Sequence, residues 1–336
     1  MGPDMPTSPV IASRRLRAAL RHAREVTVTT QAEAAKQLGW SVSKIQRIES
    51  GAVAVGVADV RAMSGLYRLG PEIEARLVAL GTAAAVRGWW WELRHHLPAA
   101  YQTYVGLEWG AATITLFEMI VMPGLFQTPR YTMGINNALA TLDTNAPEWR
   151  AASVTTRRAR QEGVLNRQMP PQVYALLDES VVHRVIGDRH TMCDQLRWLV
   201  ELTRRPNVEI RIRPFVAGLP AFIDSFALLS FDDDPDVGYV ESAMSDALIE
   251  DGLYISTARA AFAHMWNEAL SPAQTRSLLR QRADDYAAEE LAPTRIADNI
   301  GHRLTRPAAP RSGSVGVVEG EHPGGVHNED LVEPVP

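Results

Sequence analysis

The chain has 336 residues, of which 46% are hydrophobic and 22% charged, with a formal net charge of −5 and one cysteine. That is enough apolar content for an ordinary buried core, in two domains or in one domain with a small module appended. A lone Cys193 excludes an intrachain disulfide and a cysteine-rich zinc site. No apolar run approaches the ~20 residues that span a bilayer, and the N-terminus lacks a charged-then-apolar signal, so a cytoplasmic protein without membrane contact is expected.

Residues 1–8 hold Pro3 and Pro6 with little to pack and read as a flexible arm. Ser8 is the expected cap of a first helix with Pro9 at its first position. Val10, Ile11, Leu16 and Leu20 give that helix an apolar side, and Arg14, Arg15, Arg17, Arg21 and Arg24 crowd the rest. These arginines, Arg14 among them, are candidates for phosphate contact, with a solvated charged face as the alternative.

Thr30 to Gly51 is the most informative stretch. Thr30 with Glu33 forms a capping box, Ala34, Ala35 and Leu38 supply an apolar side, and Gly39 ends the helix where a left-handed backbone is cheapest. Ser41 caps a second short helix. Ile45 and Ile48 face the first helix, which turns Val42, Ser43, Lys44 and Arg47 outward. Two short helices crossing at a tight turn, the second with a polar and basic outer face, have the layout of a helix-turn-helix DNA reader.

Further helices are expected over 57–67 and 72–86, closing a mainly α, five-helix bundle over 9–87. Residues 1–88 carry 12 basic and 7 acidic side chains, a balance of +5, which leaves −10 for the remainder. A basic part joined to an acidic part is the footprint of nucleic-acid contact confined to the first.

Trp89, Trp90 and Trp91 follow the boundary at Gly88. They read as an apolar joint between domains, ahead of a base-stacking surface or a ligand cage. His95 and His96 are adjacent, and on a helix would diverge by about 100°, too far to chelate together. Beyond them the pattern predicts helix over 108–112, strand over 113–122, and a helix from Pro129 to Leu139 capped by Thr128. A long polar helix follows over 147–167, its Arg157, Arg158, Arg160 and Arg167 read as a charged outer face. Then come a strand over 172–177, a short helix over 178–186, a helix over 191–203 and a strand from Val208, where Val208, Ile210 and Ile212 alternate with Glu209, Arg211 and Arg213. Strands over 225–231 and 237–241 flank the acidic loop Asp232–Asp236, read as a solvated hairpin without the spacing of a calcium loop. Helices over 250–269 and 272–288 complete an α+β domain spanning 88–287. Residues 288–336 read as a disordered tail.

Thr30, Gln31, Gly39, Ser41, Ile45, Glu49 and Gly51 resemble the phage-repressor-like, or XRE, class of helix-turn-helix domains. The resemblance implies a phosphate contact at Gln31, base-edge contacts at Val42, Ser43 and Arg47, and a structural, buried or semi-buried pairing for Glu49; Lys44 lies beside the same surface within reach of a base or a phosphate, and Ser41 belongs to the expected DNA-contacting set. Segments from GWWWELRHHLPAAYQTYVGLEWGAATI through MPGLFQTPRY, LLDESVVHRVIG and VEIRIRPFVAG to YVES resemble the second domain of actinobacterial Scr1-type, antitoxin-like regulators, a DUF5753-like domain. Phe126 stands where that pattern has Leu. The resemblance implies a sensor, a partner platform or a dimeriser.

Ser41-Val42-Ser43-Lys44 spells the SxxK of serine acyl enzymes without its companion motifs, and no phosphate loop, metalloprotease or nucleophile-elbow motif is present. No catalytic, cofactor or metal site is expected. The expected function is a transcriptional regulator that binds double-stranded DNA as a homodimer. The alternatives are an antitoxin-like platform for a small co-encoded partner protein, or a small-molecule sensor with its site at Trp89–Trp91 or behind strands 208–231.

Overall fold

The structure, a computed structural model, describes residues 8–140, 147–222, 224–241 and 246–289. The arm over 1–7 and the tail from 290 onward lie outside the described residues.

Five helices form the N-terminal bundle: α1 (Pro9–Val26), α2 (Gln31–Leu38), α3 (Val42–Ser50), α4 (Val57–Leu66) and α5 (Pro71–Ala84). Four of the five starts follow from a local signal; α4 begins after Gly56 without a side-chain cap. Pro9 and Pro71 occupy first-turn positions, where a missing N–H costs nothing, and Thr30 and Ser41 cap α2 and α3 with their hydroxyls. The bundle core comprises Leu16, Leu20, Ala34, Ala35, Ile45, Ile48, Val60, Met63, Tyr67 and Leu77.

The second domain contains α6 (Ala99–Gly110), β1 (Thr113–Glu118), α7 (Pro129–Leu139), α8 (Pro147–Arg160), β2 (Gln172–Asp178), α9 (Ser180–His183), α10 (Arg189–Leu202), β3 (Val208–Arg213), β4 (Phe226–Ser230), β5 (Val237–Val240), β6 (Ala247–Ile249), α11 (Gly252–Glu268) and α12 (Pro272–Glu289). The strands form one mixed sheet in the order β3-β2-β1-β4-β5-β6. β1, β2 and β3 run parallel, and β4, β5 and β6 are antiparallel to their neighbours. Ile114, Leu116, Val173, Ala175 and Leu177 point into the main core. On the opposite face Phe117, Leu176, Phe226 and Leu228 pack with Ala258 and Met265 of α11.

Several expected elements change extent. α6 starts at Ala99 rather than near Glu108, because Tyr104 to Glu108 are buried in succession and leave no amphipathic stripe to read. β1 stops at Glu118, four residues early: Met122 donates to the Tyr131 hydroxyl and accepts from Gln127, so its backbone bonds leave the ladder. The helix expected over 178–186 shrinks to Ser180–His183. α8 ends at Arg160 and passes through a π turn over 161–165. β6, three residues long, was not foreseen, since only its pairing with β5 defines it.

The two domains share a joint. Ser8 does not cap α1 with its side chain; its hydroxyl donates to the Gly106 carbonyl of α6 at 2.5 Å. Ile11 of α1 and Trp90 enter the second domain's core, which agrees with the apolar-joint reading of the tryptophans. A side chain at Gly106 would bring its Cβ to 2.2 Å from Val10 and 2.9 Å from Trp90, so only glycine lets α1 approach α6 this closely. The acidic hairpin is part of the same joint and not merely solvated: Pro235 accepts from Arg14, and Asp234 pairs with Arg15.

Candidate nucleic-acid interface

The helix-turn-helix forms as its sequence dictates. The Thr30 hydroxyl accepts from the Glu33 N–H at 3.2 Å, and the Glu33 carboxylate accepts from the Thr30 N–H at 2.8 Å. The bond from the Thr30 N–H foremost, and a second from the Thr30 hydroxyl to the same carboxylate, hold the Glu33 carboxyl below its ordinary value. Gly39 adopts φ +66°, and the Ser41 hydroxyl accepts from the Lys44 N–H at 3.2 Å. Ala34 and Ala35 are fully buried at the crossing with Ile45 and Ile48.

Successive helical residues turn by about 100°. On α3 this gathers Val42, Ser43, Gln46, Arg47 and Ser50 within an arc of roughly 140°, and all five are exposed. Arg47 makes only a long 3.4 Å bond to the Ser43 carbonyl of its own helix. Gln46 lies inside this arc although the residue-type reading passed over it; a helical projection from Val42 finds it. Lys44 falls outside. Its ammonium sits 2.8 Å from the Asp59 carboxylate and 3.6 Å from the Trp40 ring centroid, which fixes the turn to α4 instead of leaving the amine on the open face. Ser41 caps while Lys44 turns to Asp59, so the Ser-x-x-Lys spelling pairs no nucleophile with a base.

Beneath this face lies a buried ionic node. The Glu49 side chain, 1% exposed, takes a two-pronged contact from Arg24 at 2.6 and 2.9 Å and a 2.8 Å bond from the Gln31 amide. Burial opposes its charge, but bonds from Arg24 and Gln31 and the charges of Arg24 and Arg21 prevail, and the carboxyl stays below its ordinary value. Tyr67, buried beside the node, is pushed up to about 12 by burial first and the Glu49 charge second. The structural role expected of Glu49 is therefore observed. Gln31, expected at phosphate, gives one of its two amide N–H donors to Glu49 and keeps the other.

The arginines of α1 are largely committed within the protein. Arg21 and Arg24 face Glu49, and Arg17 bridges the Ser50 carbonyl and Glu250. A Cβ at Gly51, itself at φ +79°, would collide with the Arg17 guanidinium. Arg14 is only 8% exposed and bonds to Glu250 at 2.8 Å and to the Pro235 carbonyl at 2.6 Å. The structure thus places Arg14 in the interdomain joint, away from the α3 surface. Glu250 and Asp234 of the second domain offset part of the +5 balance, and Arg47 is the guanidinium on the exposed α3 face.

The arginine-rich helix of the second domain also departs from expectation. Arg160 is buried, pairs with Glu108 at 2.7 Å through two nitrogens, and donates to the Tyr101 hydroxyl at 2.8 Å. Burial opposes its charge, but the Glu108 carboxylate and the tyrosine hydroxyls hold it protonated. Arg167 donates to the Trp109 and Ala111 carbonyls. These two are internal struts; Arg158 alone of the four is well exposed. Cys193 is buried. Among the described residues no group of His, Cys, Asp and Glu is arranged to hold a metal ion, and no helix is long and apolar enough to cross a membrane.

A family model described as a helix-turn-helix domain matches residues 15–77. A second, described as a domain of unknown function, DUF5753, matches residues 101–281, more than half of the chain. Neither a curated protein nor a solved structure matches it. The helix-turn-helix match runs from within α1 into α5 and the other from within α6 into α12, across the whole sheet, so the chain belongs to the DUF5753 family and carries an N-terminal helix-turn-helix domain of the DNA-binding kind.

Proposed function

We propose that this protein is a sequence-specific transcriptional regulator that places α3 in the major groove of double-stranded DNA. The observation that carries the reading is the exposed arc of Val42, Ser43, Gln46, Arg47 and Ser50 on a helix whose other side is locked by Ile45, Ile48 and the Glu49 node. Such an arc offers a guanidinium for guanine, an amide for adenine and an apolar group for a thymine methyl. One short helix reads few base pairs, so the working form is a homodimer on half-sites ~34 Å apart or a multiple of it.

The test is binding to operators selected by mapping genomic sites with the intact chain. Arg47→Ala costs about 1–3 kcal/mol on the selected duplex and little on a scrambled one, while Lys44→Ala leaves the discrimination between them intact. Equal discrimination by wild type and Arg47→Ala sinks the assignment.

A second reading, a platform for a small partner protein, draws support from the loops after β1, β2 and β3. They expose Ile120, Val185, Phe215, Val216 and Leu219 at one edge of the sheet, and buried Arg213 stiffens the third loop by bonding the carbonyls of Ala217, Gly218 and Leu219. A partner that binds wild type and a Val216→Ser, Leu219→Ser double variant equally tightly would remove that support.

A further inference from the structure

The sheet is covered unequally. On the face that α11 covers, the early halves of β1 and β2 are open among the described residues. Thr115 there sits between Tyr174 and Leu228 in one cross-strand row, and Thr113 lies beside Ser230 in the next. With Arg259 and Phe262 of α11 these residues enclose a cleft of about 230 Å³. One wall is a fixed aromatic ladder, since Tyr174 meets Trp266 edge-on at 5.9 Å and Trp266 stacks on Phe262 at 5.2 Å. Among the described residues the hydroxyls of Thr113, Thr115 and Tyr174 find no hydrogen-bond partner. At the mouth, Arg259 pairs with Asp236, which also accepts from the Ser230 hydroxyl at 3.0 Å.

We propose that this cleft is an effector site for a small planar carboxylate, which replaces Asp236 on Arg259. Size, shape and charge each narrow the ligand. Sites for drug-sized molecules occupy roughly 300–1,000 Å³, so this one takes a single ring. The aromatic ladder and Leu228 suit the two sides of a flat apolar body. Idle hydroxyls donate to an acceptor, and a guanidinium matches a carboxylate with two parallel bonds. Arg259 is 58% exposed; its pairing with Asp236 is of the weak, solvent-screened kind that a better-placed carboxylate displaces.

The displaced group does not act alone. Asp236 closes the hairpin whose Asp234 and Pro235 hold Arg15 and Arg14 of α1, and Arg17, one turn along α1, touches the last residue of α3. Releasing Asp236 loosens the hairpin's grip on α1, and with it the support of the reading helix. The ligand site stands independently of the DNA reading; only the consequence for α3 rests on it.

The test uses the full chain and the probe 4-fluorobenzoate, followed by fluorine NMR, with uncharged 4-fluorobenzyl alcohol as comparison. The carboxylate is expected to broaden at low-millimolar concentration and the alcohol at least tenfold more weakly. Arg259→Gln, a surface change that leaves the fold intact by circular dichroism, weakens the carboxylate at least tenfold. Thr115→Tyr fills the cleft and abolishes broadening. No broadening with wild type, equal binding of the alcohol, or undiminished binding by both variants would overturn the site. Hydrogen exchange of α1 amides is expected to quicken at saturating probe; unchanged exchange would overturn the link to α1 whether or not the protein binds DNA.

Discussion

Glu49 of α3 and Arg24 of α1 are paired out of water, and removing one partner leaves the other charged and buried. Glu49→Gln is therefore expected to cost on the order of 3 kcal/mol at neutral pH, measured by urea unfolding. The sign of its pH dependence follows from its lowered carboxyl: the stabilisation is complete above the ordinary carboxyl range and disappears as pH falls through the native value. Wild type and Glu49→Gln should converge in acid, and a constant gap down to the acid transition would contradict the pairing. Val28, exposed between α1 and α2, adopts φ +53°, a left-handed conformation that a β-branched residue adopts at a cost of roughly 1–2 kcal/mol. Val28→Asn should raise the melting temperature; a lowered one would show that the valine serves a contact. That Glu49 is paired near a helix end was expected from the resemblance; its partners Arg24 and Gln31 were not, because they lie on other helices. The diversion of Lys44 was not legible either, because Asp59 lies 15 residues away and only the fold brings it to the amine.

Helices whose apolar residues form a stripe were read nearly to the residue. α7 begins at Pro129 after the Thr128 cap and ends at Leu139 as expected, and β3 keeps the alternation of Val208, Ile210 and Ile212. α6 and α8 were misread because they carry charge inward. Tyr104, Glu108 and Arg160 form one buried network between them, and a sequence pattern that counts every arginine as solvent-facing cannot detect it. The network makes a sharp energetic prediction: Glu108→Gln alone should cost about 3–5 kcal/mol, whereas Glu108→Leu combined with Arg160→Met should cost less than either single change. Additive losses in a double-mutant cycle would show that the two residues contribute separately.

At the scale of the whole molecule, the division into a basic and an acidic part was visible in the charge count, and the strand pattern pointed to an α+β second domain. Hidden from the sequence was the use of those opposite charges on each other. Asp234 and Glu250 meet Arg15, Arg14 and Arg17 across the joint, so the asymmetry that suggested contact with nucleic acid serves partly to join the two halves. Gly106→Val tests the joint by forcing a side chain against Val10 and Trp90; it should lower stability by about 1–3 kcal/mol and speed proteolysis between residues 84 and 99. An unchanged digest would show that the halves hold together without this approach. Ile11 and Leu16, little more than one helical turn apart on α1, belong to different cores. The N-terminal bundle is consequently not an interchangeable cartridge: a chimaera cut at residue 88 and grafted onto a different second domain takes Ile11 out of the core it shares with Trp90. Exchange of the bundle between such chains therefore has to carry α1 together with the α6 surface that receives it.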